Sequence, residues 1–239
     1  MGLSEAGADK IFNTADAIIH NGADVSHLKS YHSLKAANFE ATSKLIQLAL
    51  GRHIPFHFAS TAGVTFFSQR AVFGDESVSS YLPPADGPDG YTSSKWASER
   101  YLEKIHDRSG LSNTIYWPSS ISHEDATETL ELMPNLLRLS RMLQAVPVSP
   151  QLRDRLNIVA LDTAVDGIMN ELHLSPSISK PQLKYAHLFG GSGIPSSELK
   201  KYIERETEFE AQVLPPAEWA KRAEDLGSSS CGRSVFYKS

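Results

Sequence analysis

Tyr91 and Lys95 stand four residues apart in "DGYTSSKWASERYLEKIHD" (89–107), a stretch that reads as a loop running into an amphipathic helix. Residues i and i+4 are neighbours on a helix surface, so Lys95 can lie under the Tyr91 ring or reach past it to a ligand. A phenol of pKa ~10 is a poor acid or base at neutral pH. An ammonium beside it favours the phenolate, lowers that pKa and makes tyrosine a usable proton donor or acceptor. A further hydroxyl would be needed to polarise a substrate carbonyl. Thr61 closes the run "IPFHFAST" (54–61), the kind of place where open α/β sheets bind ligands, beyond the carboxyl ends of their strands. Tyrosine and lysine at this spacing also occur in helices without any chemistry, so the surrounding elements decide the reading.

Those elements alternate between strand-like and helix-like segments, the pattern of an α/β protein with a mostly parallel sheet. "ADAIIHNGAD" (15–24) is a short strand that stops at the Asn21-Gly22 turn. "SYHSLKAANFEATSKLIQLALGR" (30–52) carries Leu34, Ala37, Ala41, Leu45 and Leu48 at helical spacing. After the strand at 54–61, residues 62–90 form a long irregular connection, of the length that binding loops and lids have. The helix of Tyr91 and Lys95 follows, then the strand "NTIYWPSSI" (113–121). "TLELMPNLLRLSRMLQAVP" (129–147) is helical except at Pro134, "LNIVALDTAVDGIMNEL" (156–172) is a strand and a helix, and "KYAHLFGG" (184–191) is a last strand. Residues 196–227 read as a charged helical appendage. The expected organisation is a partial Rossmann-like core over 1–172, a C-terminal substrate-binding portion over 173–227 and a disordered tail over 228–239.

Composition narrows the function. The 239 residues are 41% hydrophobic and 21% charged, enough for one sizeable core. A net charge of −5 without a Lys/Arg cluster argues against nucleic acid, which needs a basic face. The single cysteine, Cys231, allows no internal disulfide, and there is neither a signal-peptide pattern nor an apolar run of ~20 residues. A cytoplasmic protein without membrane contact is expected. Nine histidines occur without metal-ligand spacing, so no metal is expected. "ASTAG" is not the Gly-x-Ser-x-Gly elbow of a hydrolase, which disfavours Ser60 as a nucleophile.

Taken together, "YTSSKWASE" matches the Tyr-x-x-x-Lys signature of the extended short-chain dehydrogenase/reductases, and its Trp-x-x-Glu continuation resembles the thioester reductase subgroup. "DAIIHNGADVSHLKSYHSLKAANFEAT", "PFHFASTAGV", "WPSSI", "NLLRLSRMLQAVP" and "LNIVALDTAV" are similar to the same subgroup. In particular they resemble the terminal reductase domains of fungal polyketide synthase and nonribosomal peptide synthetase megaenzymes, over roughly residues 9–226. The resemblance implies Thr61 and Tyr91 as hydroxyls around the substrate carbonyl, Lys95 as the group that tunes Tyr91 and holds the nicotinamide ribose, and Asn38 as the end of a proton relay. It places Asn21, Gly22 and Ala23 along the dinucleotide, with Pro118 and Ser119 beside the nicotinamide. The implied reaction is NADPH-dependent reduction of a thioester on a carrier-protein phosphopantetheine arm, through a hemithioacetal to an aldehyde or alcohol. A redox-neutral Dieckmann-type cyclisation and a catalytically silent remnant are the alternatives.

The departures from the subgroup are also specific. The family opens with a strand, a Gly-rich turn and a helix whose N-terminus binds the pyrophosphate. Only about fifteen residues precede the strand at Asp16, against the ~30 or more of one βαβ unit. "GGSGIPSS" (190–197) is a turn, lacking the third glycine at the required spacing. The missing turn counts against NADPH binding, and the missing strands leave a sheet edge open to self-association. The chain is expected to be a fragment or a rebuilt remnant. Trp117 replaces the arginine that the resemblance leads one to expect before the proline of "PSSI", most simply as a packing change, with a changed cofactor or substrate contact as the alternative. His20 is expected at the strand end near the nucleotide path or in a purely structural role. Phe66, Phe67, Pro83 and Pro84 would line an acyl channel or pack their own loop. The acidic stretch at 198–225 is a solvated helix face or a carrier-protein contact.

Overall fold

The structure is a computed structural model that describes residues 4–26, 29–70, 73–84, 90–122, 132–148, 155–174, 180–191, 193–206 and 209–226. The tail expected at 228–239, with Cys231, lies outside the described residues. The chain divides into two compact units, Met1–Ser119 with Ala164–Leu188, and Ser120–Thr163 with Phe189–Ser239.

The first unit is built on four parallel strands, β1 (Ile18–His20), β2 (Phe56–Ala59), β3 (Asn113–Pro118) and β8 (Leu183–Leu188), in the order β1-β2-β3-β8. The register aligns Ile18 with Phe56, Phe56 with Asn113 and Asn113 with Leu183. β2 is buried at all four positions, as expected of a parallel strand covered on both faces. Phe56 and Phe58 pack on one face with Ile115, Trp117 and Tyr185, and with Ile46, Ala49 and Leu102 from the helices. On the other face, helix α6 (Leu161–Leu174) approaches β8, where a Cβ on Gly167 would stand 2.6 Å from Leu188 Cδ2 and Lys184 pairs with Glu171 at 2.7 Å.

Helix α1 (Glu5–Thr14) begins at Ser4, whose Oγ accepts from the Gly7 N–H, and its end packs Phe12 against the core. α2 (Tyr31–Lys35) is capped in the same way by Ser30. It runs into a π-helical segment, Ala36–Glu40, and then into α3 (Ala41–Leu50). The inward positions are Leu34, Asn38, Thr42, Ile46 and Ala49. After Leu34 each lies one residue beyond the periodicity expected from the sequence, Ala37, Ala41, Leu45 and Leu48. A π turn closes i→i+5 bonds and inserts one residue, which rotates everything after it. Two polar residues thereby replace two alanines on the buried face.

Helix α4 (Gly90–Ser109) starts where no side chain fits, since a Cβ on Gly90 would stand 2.3 Å from the Lys29 carbonyl oxygen and the Tyr31 nitrogen. It ends at Gly110, whose φ of +70° suits a left-handed helix stop. The connection before α4 is held by α4 itself. Trp96 Nε1 donates to the Val78 carbonyl at 3.2 Å, and Ser77 Oγ donates to the buried Glu103 at 2.6 Å, as does the Tyr185 hydroxyl.

In the second unit, β4 (Ser120–Ser122) pairs in parallel with β7 (Ile158–Ala160), β5 (Ala145–Pro147) pairs in parallel with β10 (Gln212–Leu214), and β6 (Arg155–Leu156) pairs antiparallel with β9 (Ile194–Pro195). α5 (Leu132–Leu143) ends at Gln144, whose φ of 50° turns the chain into β5, so 145–147 is strand where helix was expected. The charged stretch forms α7 (Leu199–Glu206), β10 and α8 (Pro216–Asp225). Leu199, Ile203, Trp219 and Ala223 bury one side of it with Leu139 and Val146, and Trp219 Nε1 donates to the Ala145 carbonyl at 2.8 Å. Gly190 lets the chain pass β7, because a Cβ there would stand 2.3 Å from the Ile158 carbonyl oxygen.

Candidate active site

β2 ends at Ala59 and is followed by Ser60 and Thr61, and α4 brings Tyr91, Lys95 and Glu99 to this strand end from successive turns of one helical face. Lys95 is almost completely buried and its Nζ donates to the Ala59 carbonyl at 2.7 Å. The ammonium stands 4.7 Å from the centre of the Phe58 ring and 5.8 Å from that of Tyr91, within the range of cation–π attraction. Burial draws the Lys95 pKa down to about 8, while the Glu99 charge holds it up. A lysine so tuned stays largely protonated at neutral pH and favours the phenolate of a neighbouring tyrosine.

Thr61 accepts a hydrogen bond from the Gly63 N–H at 3.1 Å and opens the 3₁₀ segment Ala62–Ser68. Gly63 lies between two hydroxyls, since a Cβ there would be 3.3 Å from Thr92 Oγ1 and 3.4 Å from Thr61 Oγ1. The side chain of Thr92, next to Tyr91, thus meets the loop that follows β2.

Asn38 sits inside the π segment, buried. Its Nδ2 donates to Ser94 Oγ at 2.8 Å and to the Asp24 carbonyl at 3.0 Å, and its Oδ1 accepts from the Asp24 N–H at 2.8 Å. Ser94 in turn donates to the Tyr91 carbonyl at 2.7 Å. Asn38 therefore fastens the stretch after β1 to the first turn of α4.

His20, at the end of β1, is buried against Phe56 and Phe58. Thr42 Oγ1 gives its proton to the Asn38 carbonyl at 2.5 Å, so the 2.9 Å contact with His20 Nε2 requires the Nε2–H tautomer. Burial, with a contribution from the Lys95 charge, draws its pKa down to about 4. The imidazole is neutral at physiological pH.

Of the residues singled out for the dinucleotide, Asn21 and Gly22 are exposed and Ala23 half-buried just beyond β1. Pro118 closes β3, and the Ser119 N–H donates to the Leu188 carbonyl at 2.9 Å. Ser119 Oγ is buried without a hydrogen-bond partner.

Sequence reasoning left Glu99 and Ser60 without a role in this site. Glu99 is fully buried, and its Oε1 accepts from Ser60 Oγ and, at 3.0 Å, from Trp117 Nε1. Burial pushes its pKa up to about 7, against the pull of those two donors and of Lys95. The i, i+4, i+8 spacing of Tyr91, Lys95 and Glu99 is the signal that could have found it. Trp117 stacks on Tyr185 at 5.0 Å besides donating to Glu99. Among the described residues no group of three His, Cys, Asp or Glu side chains is arranged to hold a metal ion.

An open parallel sheet with a tyrosine-lysine pair at the carboxyl ends of its strands defines a Rossmann-like protein of the extended short-chain dehydrogenase/reductase kind. Residues 1–168 match the NAD-binding family described as Male sterility protein, and the chain belongs to that family. It is 40% identical over 232 residues to the polyketide synthase-nonribosomal peptide synthetase ffsA of Aspergillus flavipes, covering 97% of this chain and 6% of that protein. It is 43% identical over 228 residues to a polyketide synthase-nonribosomal peptide synthetase of Aspergillus clavatus, covering 95% of this chain and 6% of that one. Among solved structures, the terminal R domain from the myxalamid PKS-NRPS biosynthetic pathway superposes with a TM-score of 0.71 at 25% identity, over 98% of this chain and 59% of that one. The chain thus spans a small share of the synthetases' length and three-fifths of that R domain.

Proposed function

We propose that this chain acts in the NADPH-dependent reductive release of an acyl or peptidyl thioester from a carrier protein in secondary metabolism. The observation that carries the reading is the Lys95 ammonium, buried between the Phe58 and Tyr91 rings and bonded to the Ala59 carbonyl at the end of β2. In this reading Thr61 and Tyr91 polarise the thioester carbonyl, and Tyr91 delivers the proton to its oxygen while Lys95 steadies the phenolate. Hydride addition at the carbonyl carbon gives a hemithioacetal, whose hydroxyl proton passes to the sulfur as the carbon–sulfur bond breaks, so that the phosphopantetheine thiol leaves and an aldehyde is the other product.

The dinucleotide would be held by Asn21, Gly22 and Ala23 beyond β1, by Lys95 at the ribose, and by Pro118 and Ser119 at the nicotinamide. The orphaned, buried Ser119 Oγ fits a polar ligand group at the end of β3. No glycine-rich turn from strand to helix follows a sheet strand among the described residues, so the fit is to the nicotinamide-ribose half. NADPH, when bound, supplies the hydride. Asn38 would be the end of the relay that restores the Tyr91 proton, while its bond to Ser94, which donates to the Tyr91 carbonyl, holds the turn that carries Tyr91. We further propose a cytoplasmic location, a carrier-protein partner for the charged face of the second unit, and self-association through β1. That strand pairs on one side only among the described residues. No helix among them is long and apolar enough to cross a membrane.

The test is NADPH oxidation by the purified chain with a carrier-protein-bound acyl thioester. Aldehyde or alcohol should form in step with NADPH loss, and Tyr91→Phe should slow it by about 10²-fold or more. Product release without NADPH loss would refute the reading in favour of cyclisation, and absence of both would refute it outright.

A further inference from the structure

Glu99 is a carboxyl group enclosed at the meeting point of three elements. From β2, Ser60 Oγ donates to its Oε1; from β3, Trp117 Nε1 donates to the same oxygen at 3.0 Å; and one turn earlier on α4 stands Lys95. The second oxygen, Oε2, is buried with no hydrogen-bond partner. The ring of contacts closes through the backbone, because Lys95 donates to Ala59, the residue before Ser60, and the Ser60 N–H donates to the Tyr116 carbonyl, the residue before Trp117. A wholly buried carboxylate with neutral donors on one oxygen alone is expensive unless a cation faces it.

The other titratable groups around the pair are quiet. From β1, His20 faces Lys95 and is neutral above about pH 4. From β8, Tyr185 faces Glu99 and burial pushes its phenol up to about 12. On α4, Arg100 is engaged with Glu103. Trp117 brings only a neutral N–H to Glu99. Lys95 is left as the cation that faces Glu99.

We propose that Glu99 is a positioning residue of this site: its charge is the counter-ion that keeps Lys95 an ammonium beside Tyr91, and its bond to Ser60 fixes the strand end that carries Thr61. The proposal deepens the reductase reading in assigning what holds the Tyr91-Lys95 pair, and it rests on that reading for its catalytic meaning. Glu99 touches neither substrate nor cofactor in this role.

The experiment reads Lys95 itself. The full chain is labelled with ¹³C at the lysine ε-carbons, the Lys95 signal is assigned as the one absent from Lys95→Met, and its pH titration is followed by NMR without substrate. Glu99→Gln keeps the shape and an acceptor for Ser60 and Trp117 but removes the charge. The Lys95 midpoint should then fall by about one pH unit, the lower end of what an adjacent opposite charge contributes. Glu99→Asp, which keeps the charge, should lie closer to the parent protein. Ser60→Ala serves if the glutamine variant does not fold. Loss of a donor raises the Glu99 pKa, neutralises part of its charge and should lower the Lys95 midpoint in the same direction by less. A Lys95 midpoint unmoved in the folded variant overturns the proposal. The readout needs no turnover, so an inactive chain with coupled Lys95 would count against the reductase reading alone, and an active chain with uncoupled Lys95 against Glu99 alone.

Discussion

Replacing Asn38 with alanine should loosen the site and the fold together, and the cost can be worked from the contacts. The side chain makes three hydrogen bonds, two with the backbone of Asp24 at 2.8 and 3.0 Å and one with Ser94 Oγ at 2.8 Å. A net hydrogen bond is worth about 1 kcal/mol, and the bond to the buried Ser94 should count in full. Asp24 is only half-buried, so water can reach its freed backbone groups and offset part of that loss. The sum is about 2–3 kcal/mol. With a urea m-value of about 2–3 kcal/mol/M, the unfolding midpoint should fall by about 1 M. Stability alone would not separate this from any core truncation, so the second readout is local. Amide exchange at residues 21–26 and in the first turn of α4 should accelerate more than exchange in β3. A midpoint within 0.3 M of the parent, or exchange that rises evenly through the sheet, would refute the idea that Asn38 ties these two segments.

Gly90→Ala forces a Cβ to within 2.3 Å of Lys29 and Tyr31 backbone atoms, so it should cost about 3 kcal/mol or more, and a melting temperature matching the parent would count against the close approach of α2 and α4. His20 should titrate near pH 4 by NMR. Its folded pKa lies below the unfolded value of 6.5, so between those two the folded state binds fewer protons, and its contribution to stability, complete above pH 6.5, is lost as pH falls toward 4. A midpoint near 6.5 would contradict its burial. In the second unit, Trp219→Ala should destabilise by about 3–5 kcal/mol, the range for large buried aromatics, and a change under 1 kcal/mol in denaturant unfolding would mean that Trp219 is not the centre of that core.

The local pattern of the sequence sufficed for the elements that act locally. The apolar runs at 15–24, 54–61 and 113–121 became β1, β2 and β3, because a buried parallel strand is a short apolar run wherever it lies. The helix carrying Tyr91 and Lys95 was legible because the pair needs only helical spacing, and the ordered motifs around it named the family. Periodicity misjudged the face of residues 31–50. One inserted residue in the π segment turned Asn38 and Thr42 inward, and such an insertion has no signature in hydrophobic spacing. Pairings between distant parts of the chain were equally hidden. β8 returns to lie beside β3 after the second unit has intervened, and loop residues Ser77 and Val78 bond to α4. Glu99 shows the same division at the scale of one side chain. Its distance from Lys95 along the helix is written in the sequence, but its burial is not. Only the closing of β2, β3 and α4 around it, with Ser60 and Trp117 as its donors, turns an ordinary helix glutamate into a carboxyl group without water.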